Sequence, residues 1–113
     1  MPTIESKTVT AEKKAGGKGT ISITHLLPSN YPTENCQMFA SVVLPSGASI
    51  GNHKHNGNSE TYHILQGKAK YNDNGAEKTV GVGETTFCPD GEFHGIENIG
   101  DEDLKFIALI INY

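Results

Sequence analysis

The chain of 113 residues contains no arginine. Arginine is the usual bidentate clamp for carboxylate and phosphate. Its absence speaks against a dicarboxylate, oxalate-like or sugar-nucleotide substrate held by a guanidinium, although a lysine can still supply a point charge. The nine basic residues are therefore all lysines, outnumbered by thirteen acidic residues, for a formal net charge of −4. Only Lys13 and Lys14 are adjacent. Nucleic acid requires basic patches, so it is excluded as a partner. Two cysteines, Cys36 and Cys88, are too few for a disulfide framework. No apolar run approaches the length needed to span a bilayer. The first residues, MPTIESKTVTAEKK, are polar and do not form a signal peptide. The expectation is a cytosolic protein with intact thiols and no membrane contact. Helical periodicity, repeats and low-complexity segments are also missing.

What remains is a succession of short β-type segments. The length predicts one domain over 1–113, with a modest core. Residues 1–19 read as an N-terminal arm, with a short strand near Thr3–Thr8 and a loop over 11–19. Strands are predicted at Thr20–Leu27, Met38–Leu44, Ser49–His55, Thr61–Gln66, Lys68–Asn72, Glu77–Val82, Thr85–Cys88, His94–Asn98 and Leu104–Ile111. Between them lie turn signals: PSNYPTEN, Pro45-Ser46-Gly47, the NDNG hairpin turn at 72–75, Pro89-Asp90-Gly91 and the acidic GDED at 100–103. Many short strands with glycine-rich turns indicate an all-β sandwich or barrel.

Three histidines and a glutamate stand at suggestive spacings. His53 and His55 are two apart, so an extended strand points both to one side. Glu60 follows the short loop NGNS, and His94 follows a Pro-Asp-Gly turn. Neutral imidazoles and a carboxylate suit divalent metals of the first transition row. A set without cysteine reads as catalytic or substrate-binding rather than structural zinc. The expected cofactor is one divalent metal per chain, Mn, Fe, Ni, Zn or Cu.

The same residues carry a family resemblance. Gly47-x5-His53-x-His55-x4-Glu60-x6-Gly67 is similar to the first motif of the cupin superfamily. Gly83-x5-Pro89-x-Gly91-x2-His94-x3-Asn98 is similar to the second. The motifs cover residues 47–98, and the short segment between them resembles compact microbial single-domain cupins. The resemblance implies a small double-sheet jelly-roll barrel with a metal on His53, His55, Glu60 and His94. It implies little about activity, because cupins include dioxygenases, decarboxylases, isomerases, sugar-binding regulatory domains and seed storage proteins.

Other residues are assigned by parity. Tyr62, Ile64 and Gln66 share a strand face with Glu60, and Thr61, His63 and Leu65 take the other. Tyr62 is the candidate catalytic residue, as proton donor or hydrogen-bond partner to substrate. His63 and His25 read as outer-face or structural residues, Lys54 as solvated and Asn98 as a backbone anchor. Cys88 reads as a small buried residue; a thiolate ligand or a crosslink to Tyr62, as in certain thiol-oxidising cupins, is the other reading. Phe39, Phe87, Phe93 and Phe106 are expected in the core or at the pocket mouth. The functional expectation is a metal-dependent enzyme on a small oxygen-bearing metabolite, a dioxygenase-type oxidoreductase or an isomerase. The alternative is a non-enzymatic sugar or metabolite sensor. Leu104–Ile111 is apolar on both faces, which together with the family likeness predicts a homodimer whose N-terminal arm covers a neighbouring sheet edge.

Overall fold

The computed structural model describes residues 3–31 and 33–113. Ten strands follow one another: β1 Lys7–Glu12, β2 Thr20–His25, β3 Cys36–Leu44, β4 Ser49–Lys54, β5 Asn58–Gln66, β6 Lys68–Asp73, β7 Ala76–Gly81, β8 Thr85–Cys88, β9 Phe93–Asn98 and β10 Leu104–Asn112. They form a six-stranded sheet, β1-β2-β3-β10-β5-β8, and a four-stranded sheet, β4-β9-β6-β7. All pairings are antiparallel. The fold is all-β, two antiparallel sheets arranged as a jelly roll. No helix among the described residues is long and apolar enough to cross a membrane.

The alternation in the sequence decides what each face does. In β2, Ile21 and Ile23 point inward between solvent-facing threonines and serine. In β3, Ala40, Val42 and Leu44 do the same. They meet Ile64, Leu104 and Phe106 of their own sheet and Ile50, Ala69, Tyr71, Val80 and Ile96 of the facing one in a single core. Burying such side chains contributes roughly 1.5–3 kcal/mol each before chain entropy opposes it. The hairpin between β6 and β7 turns on Asn74 (φ 52°) and Gly75 (φ 97°), with Asp73 facing Ala76. Positive φ at both turn residues is the type I′ geometry that the NDNG segment predicts.

The N-terminal region departs from the expectation. The first strand is Lys7–Glu12, not Thr3–Thr8, and a short 3-10 turn at Lys14–Gly16 occupies the predicted loop. Thr3, Ile4, Thr8, Val9 and Thr10 all favour strands, so propensity does not choose the register. Pairing does: Val9 sits opposite Ile23, and the Thr8 and Thr24 hydroxyls bond at 2.9 Å. The arm thus extends the edge of its own chain's sheet. The 3-10 turn packs backbone to backbone on β4. A Cβ on Gly51 would stand 2.0 Å from the Ala15 carbonyl oxygen, and one on Gly17 2.2 Å from that of Ser49. Only glycines permit this approach.

The predicted outer face of Leu104–Ile111 is realised on β10. Leu109 lies between Phe39 of β3 and Thr61 of β5, and Thr61 lies beside Phe87 of β8. Phe39 is 38 % exposed and Phe87 55 %. These two, with the exposed Phe93, are a correction: only Phe106 of the four phenylalanines enters the core. Strand parity turns Phe39 and Phe87 to the outer face, opposite the buried Ala40 and Cys88.

Candidate metal centre

The candidate ligands come from three strands of both sheets. His53 lies on β4 directly opposite His94 of β9, His55 follows just beyond β4, and Glu60 comes from β5 of the facing sheet. The β4–β9 register shifts between Ile50 and His53. Ile50 and His53 line the same cavity although they are three residues apart. A regular strand would separate them, and the bulge restores them to one face.

The four donors lie within 4.8 Å of one another. Glu60 Oε1 is 2.9 Å from His94 Nε2, 3.2 Å from His55 Nε2 and 3.4 Å from His53 Nε2. His94 Nε2 is 3.1 Å from that of His53 and 3.2 Å from that of His55. Ligand atoms about 2.1 Å from a shared ion are separated by about 3.0 Å at right angles and about 3.4 Å at tetrahedral angles. The five spacings given fall at or close to that range, and the His53–His55 pair lies within 4.8 Å.

The outer nitrogens explain why Nε2 faces inward. His53 Nδ1 donates to the Gly51 carbonyl at 2.8 Å. Asn58 gives its amide N–H to Gln37, which leaves its oxygen to accept from His55 Nδ1 at 2.8 Å. His94 Nδ1 meets the buried Tyr71 hydroxyl at 2.8 Å. With each Nδ1 so engaged, the Nε2 lone pairs converge. Lone pairs repel one another unless a cation or proton lies between them, so the donor set fits a metal ion.

The titration of the ligand groups points the same way. Burial works against the Glu60 charge, but hydrogen bonds and charge from His53 and His94 outweigh it and bring the carboxyl down to about 2. Burial likewise disfavours a proton on His53, yet Glu60 and the Gly51 carbonyl raise its pKa above the ordinary 6.5. For His94 burial prevails over Glu60 and the pKa falls. Glu60 is therefore an anion throughout the neutral range, enclosed by imidazoles.

His53, His55 and Glu60, though not the fully buried His94, open onto a cavity of about 210 Å³, walled by Ile23, Val42, Ile50, Phe106, Ala108 and Ile110. That is small beside the roughly 300–1,000 Å³ of drug-sized pockets. Tyr62 lines it, as parity predicted. Its ring stacks on His94 with centroids 4.8 Å apart and planes 16° apart. Burial and the neighbouring Glu60 charge hold its phenol well above its ordinary pKa, so it keeps its proton near neutrality. Gln66 does not reach the cavity; its amide donates to the Asp103 carbonyl.

The remaining assignments fall outside the cluster. His63 is exposed on the outer face against Thr85, and Lys54 is exposed. His25 ends β2, opposite Lys7. Asn98 bonds the Leu44 and Glu102 carbonyls. Cys88 is buried and free, lies outside the cluster of four donors, and has its thiol pushed by burial to about 11. Tyr71, Asn58 and Lys14 were not singled out by sequence reasoning. Tyr71 and Asn58 orient ligands, and Lys14 stands in the cavity rim.

Comparison with known proteins agrees with this geometry. The family model of the cupin domain matches residues 40–110. An oxalate-binding protein of Thermotoga maritima is 40% identical over 111 residues, covering 96% of this chain and 92% of that protein. The crystal structure of a predicted oxalate decarboxylase from Thermotoga maritima superposes with a TM-score of 0.91 at 38% identity, over 96% of this chain and 95% of that one. The cupin domain of Schizosaccharomyces pombe Cnp3, at 16% identity and a TM-score of 0.74 over 97% and 89% of the two chains, shares the fold.

Proposed function

Since the chain belongs to the cupin family, we propose that it binds one divalent transition metal through His53, His55, Glu60 and His94 and there takes up a small carboxylate of the oxalate class. The convergence of three Nε2 atoms and one carboxylate oxygen, with His53, His55 and Glu60 lining a small cavity, carries this reading. A bound divalent cation supplies a Lewis acid with open positions for ligand oxygens. The protein residues divide the remaining work. The apolar wall excludes water, Tyr62 offers a hydrogen bond, and Tyr71, Asn58 and the Gly51 carbonyl hold the imidazoles in register. The name of the 40%-identical relative supports oxalate as the first ligand to try.

The site favours binding over proton-transfer chemistry. Glu60 is committed to the imidazoles, while Tyr62, Tyr71 and Cys88 all keep their protons near neutrality. An isomerase needs a base to remove a proton, and none of these groups provides one. Oxidation or decarboxylation of the bound acid is the second reading, favoured by the protonated Tyr62 beside the ligand set. Calorimetric titration of oxalate into manganese- and zinc-loaded protein tests the proposal. Saturable binding that vanishes on chelation is expected, and no binding to the loaded forms would refute it. Oxygen uptake or carbon dioxide release in the same samples selects the enzymatic reading.

The partner we infer for the outer face is a second copy. The row Phe39, Leu109, Thr61, Phe87 crosses four strands of the six-stranded sheet, with Leu65 nearby and 49 % exposed. Exposed apolar rows of this kind mark protein contacts. Sedimentation at micromolar concentration is expected to give a dimer, and Phe87→Glu is expected to shift it towards monomer. A monomeric unmodified protein would refute the pairing.

A further inference from the structure

Among the described residues, Lys14 is the one lysine lining the metal-site cavity. It makes no ion pair among the described residues, whereas Lys18 faces Glu97, and Lys70 faces Glu77 and Glu97, away from the cavity. Its position is held by the backbone. Lys13 (φ 48°) and Ala15 (φ 53°) flank it in the left-handed region, which non-glycine residues seldom adopt. The turn is fastened by Lys13 N–H to the Gly19 carbonyl and by reciprocal bonds between Lys18 and Ser49, all at 2.9 Å. The Gly17 and Gly51 contacts then seat it on β4, the strand that carries His53. Strained backbone kept in place by surrounding contacts is a common mark of a working site.

We propose that Lys14 recognises the anion in this cavity, matching the second negative charge of a small dianion whose first charge is met at the metal. The proposal rests on the metal-and-carboxylate reading above and adds the residue and charge type that select the ligand. Charge counting carries it. A divalent ion held by one carboxylate, Glu60, and three neutral imidazoles leaves one net positive charge. Lys14 adds a second at the rim. Among the described residues the lining holds no other cation, and its polar members besides the ligands, Gln37 and Tyr62, are neutral. Were the ion bound by these four residues, the Lys14 ammonium on the lining could donate to a carboxylate oxygen of a dianion held in the cavity. A neutral sugar or enediol would gain nothing from that ammonium. The lack of arginine therefore does not exclude a dicarboxylate; it leaves recognition to a point charge rather than a fork.

The test uses full-length protein loaded with cobalt(II), whose visible spectrum reports ligand binding at the metal. Oxalate is the dianionic probe and imidazole the neutral one. Lys14→Gln is expected to weaken oxalate by about tenfold, the size of one charge-assisted contact at an open rim. Imidazole affinity and cobalt content should not change. Lys14→Arg should restore oxalate binding, and Lys18→Gln, which removes the same charge elsewhere, should leave it intact. Added salt should narrow the gap between wild type and Lys14→Gln. Unchanged oxalate affinity in Lys14→Gln overturns the proposal while the carboxylate reading stands. So does an equal loss of oxalate and imidazole, which would place the effect in the fold or the metal. A wild-type protein that binds imidazole but not oxalate overturns both readings.

Discussion

Replacing His94 with alanine is expected to remove the metal and loosen the fold, whereas His53→Ala is expected to remove the metal and leave the fold nearly intact. Both residues present Nε2 to the same point, so each loss takes away one of four ligands. Losing an outer partner of a ligand costs about 10–100-fold in metal affinity, and losing the ligand itself should exceed that. Their surroundings differ. His94 is fully buried, bonded to Tyr71 and stacked on Tyr62. Its truncation leaves a cavity beneath Tyr62 and a buried phenol without its partner. Large-to-small changes of aromatic side chains in cores cost about 3–5 kcal/mol, from a total of about 5–15 kcal/mol. The His53 side chain is 27 % exposed on the cavity wall, so its truncation should cost under about 1 kcal/mol. Melting in the presence of a chelator isolates the fold term. There His94→Ala should fall by more than about 10 °C and His53→Ala by a few degrees at most. His94→Gln, which keeps more of the side-chain volume, supplies a milder test of the same ligand. Stoichiometric metal in His53→Ala and His94→Gln would sink the four-ligand site.

The contrast shows which parts of the site a sequence can display. His53, His55, Glu60 and His94 were legible because a metal demands particular donors and the motif spacing places them. Tyr71 was not. It reaches His94 through the β6–β9 register, in which Tyr71 faces Ile96 and Asp73 faces His94. That register is a long-range outcome that strand propensity does not encode. The bulge between Ile50 and His53 was also hidden; parity counted onward from Glu60 held through Ile64, and failed at Gln66, where the β5–β10 register shifts. Lys14 escaped notice because nothing local marks it. A pair of glycines far apart in sequence, Gly17 and Gly51, brings its turn to the site. The phenylalanines show the limit of composition: an aromatic residue on a strand fits a core or an interface equally well, and only the register shows that Phe39 and Phe87 share one outer row.

Acidification is expected to release the metal and, with it, the stability the metal supplies. In the metal-free protein the histidines oppose one another. His53, raised above 6.5, contributes stability that is present below the unfolded pKa and lost as pH rises through its folded value. His94, lowered below 6.5, costs stability as pH falls below that value, because the unfolded chain takes up a proton the fold resists. Glu60, lowered from 4.5 to about 2, contributes above its unfolded pKa, and that contribution is lost as pH falls towards 2. Between about pH 5 and 8 these effects partly cancel, so the chelated protein should melt at nearly constant temperature. The loaded protein should not. Every ligand must be free of protons to hold the ion, and three imidazoles make that requirement steep. With free metal at about 100 times its dissociation constant, binding adds about 2.7 kcal/mol, or about 10 °C for a chain of this size. The difference in melting temperature between loaded and chelated protein should therefore be full near pH 7.5, shrink through the ordinary histidine range around 6.5, and vanish by about pH 5. Glu60→Gln, which removes the anion while keeping the shape, should show little difference at any pH. A difference that persists undiminished at pH 5 would mean that imidazoles do not hold the ion, and equal melting at pH 7.5 with and without chelator would mean that the fold does not use it.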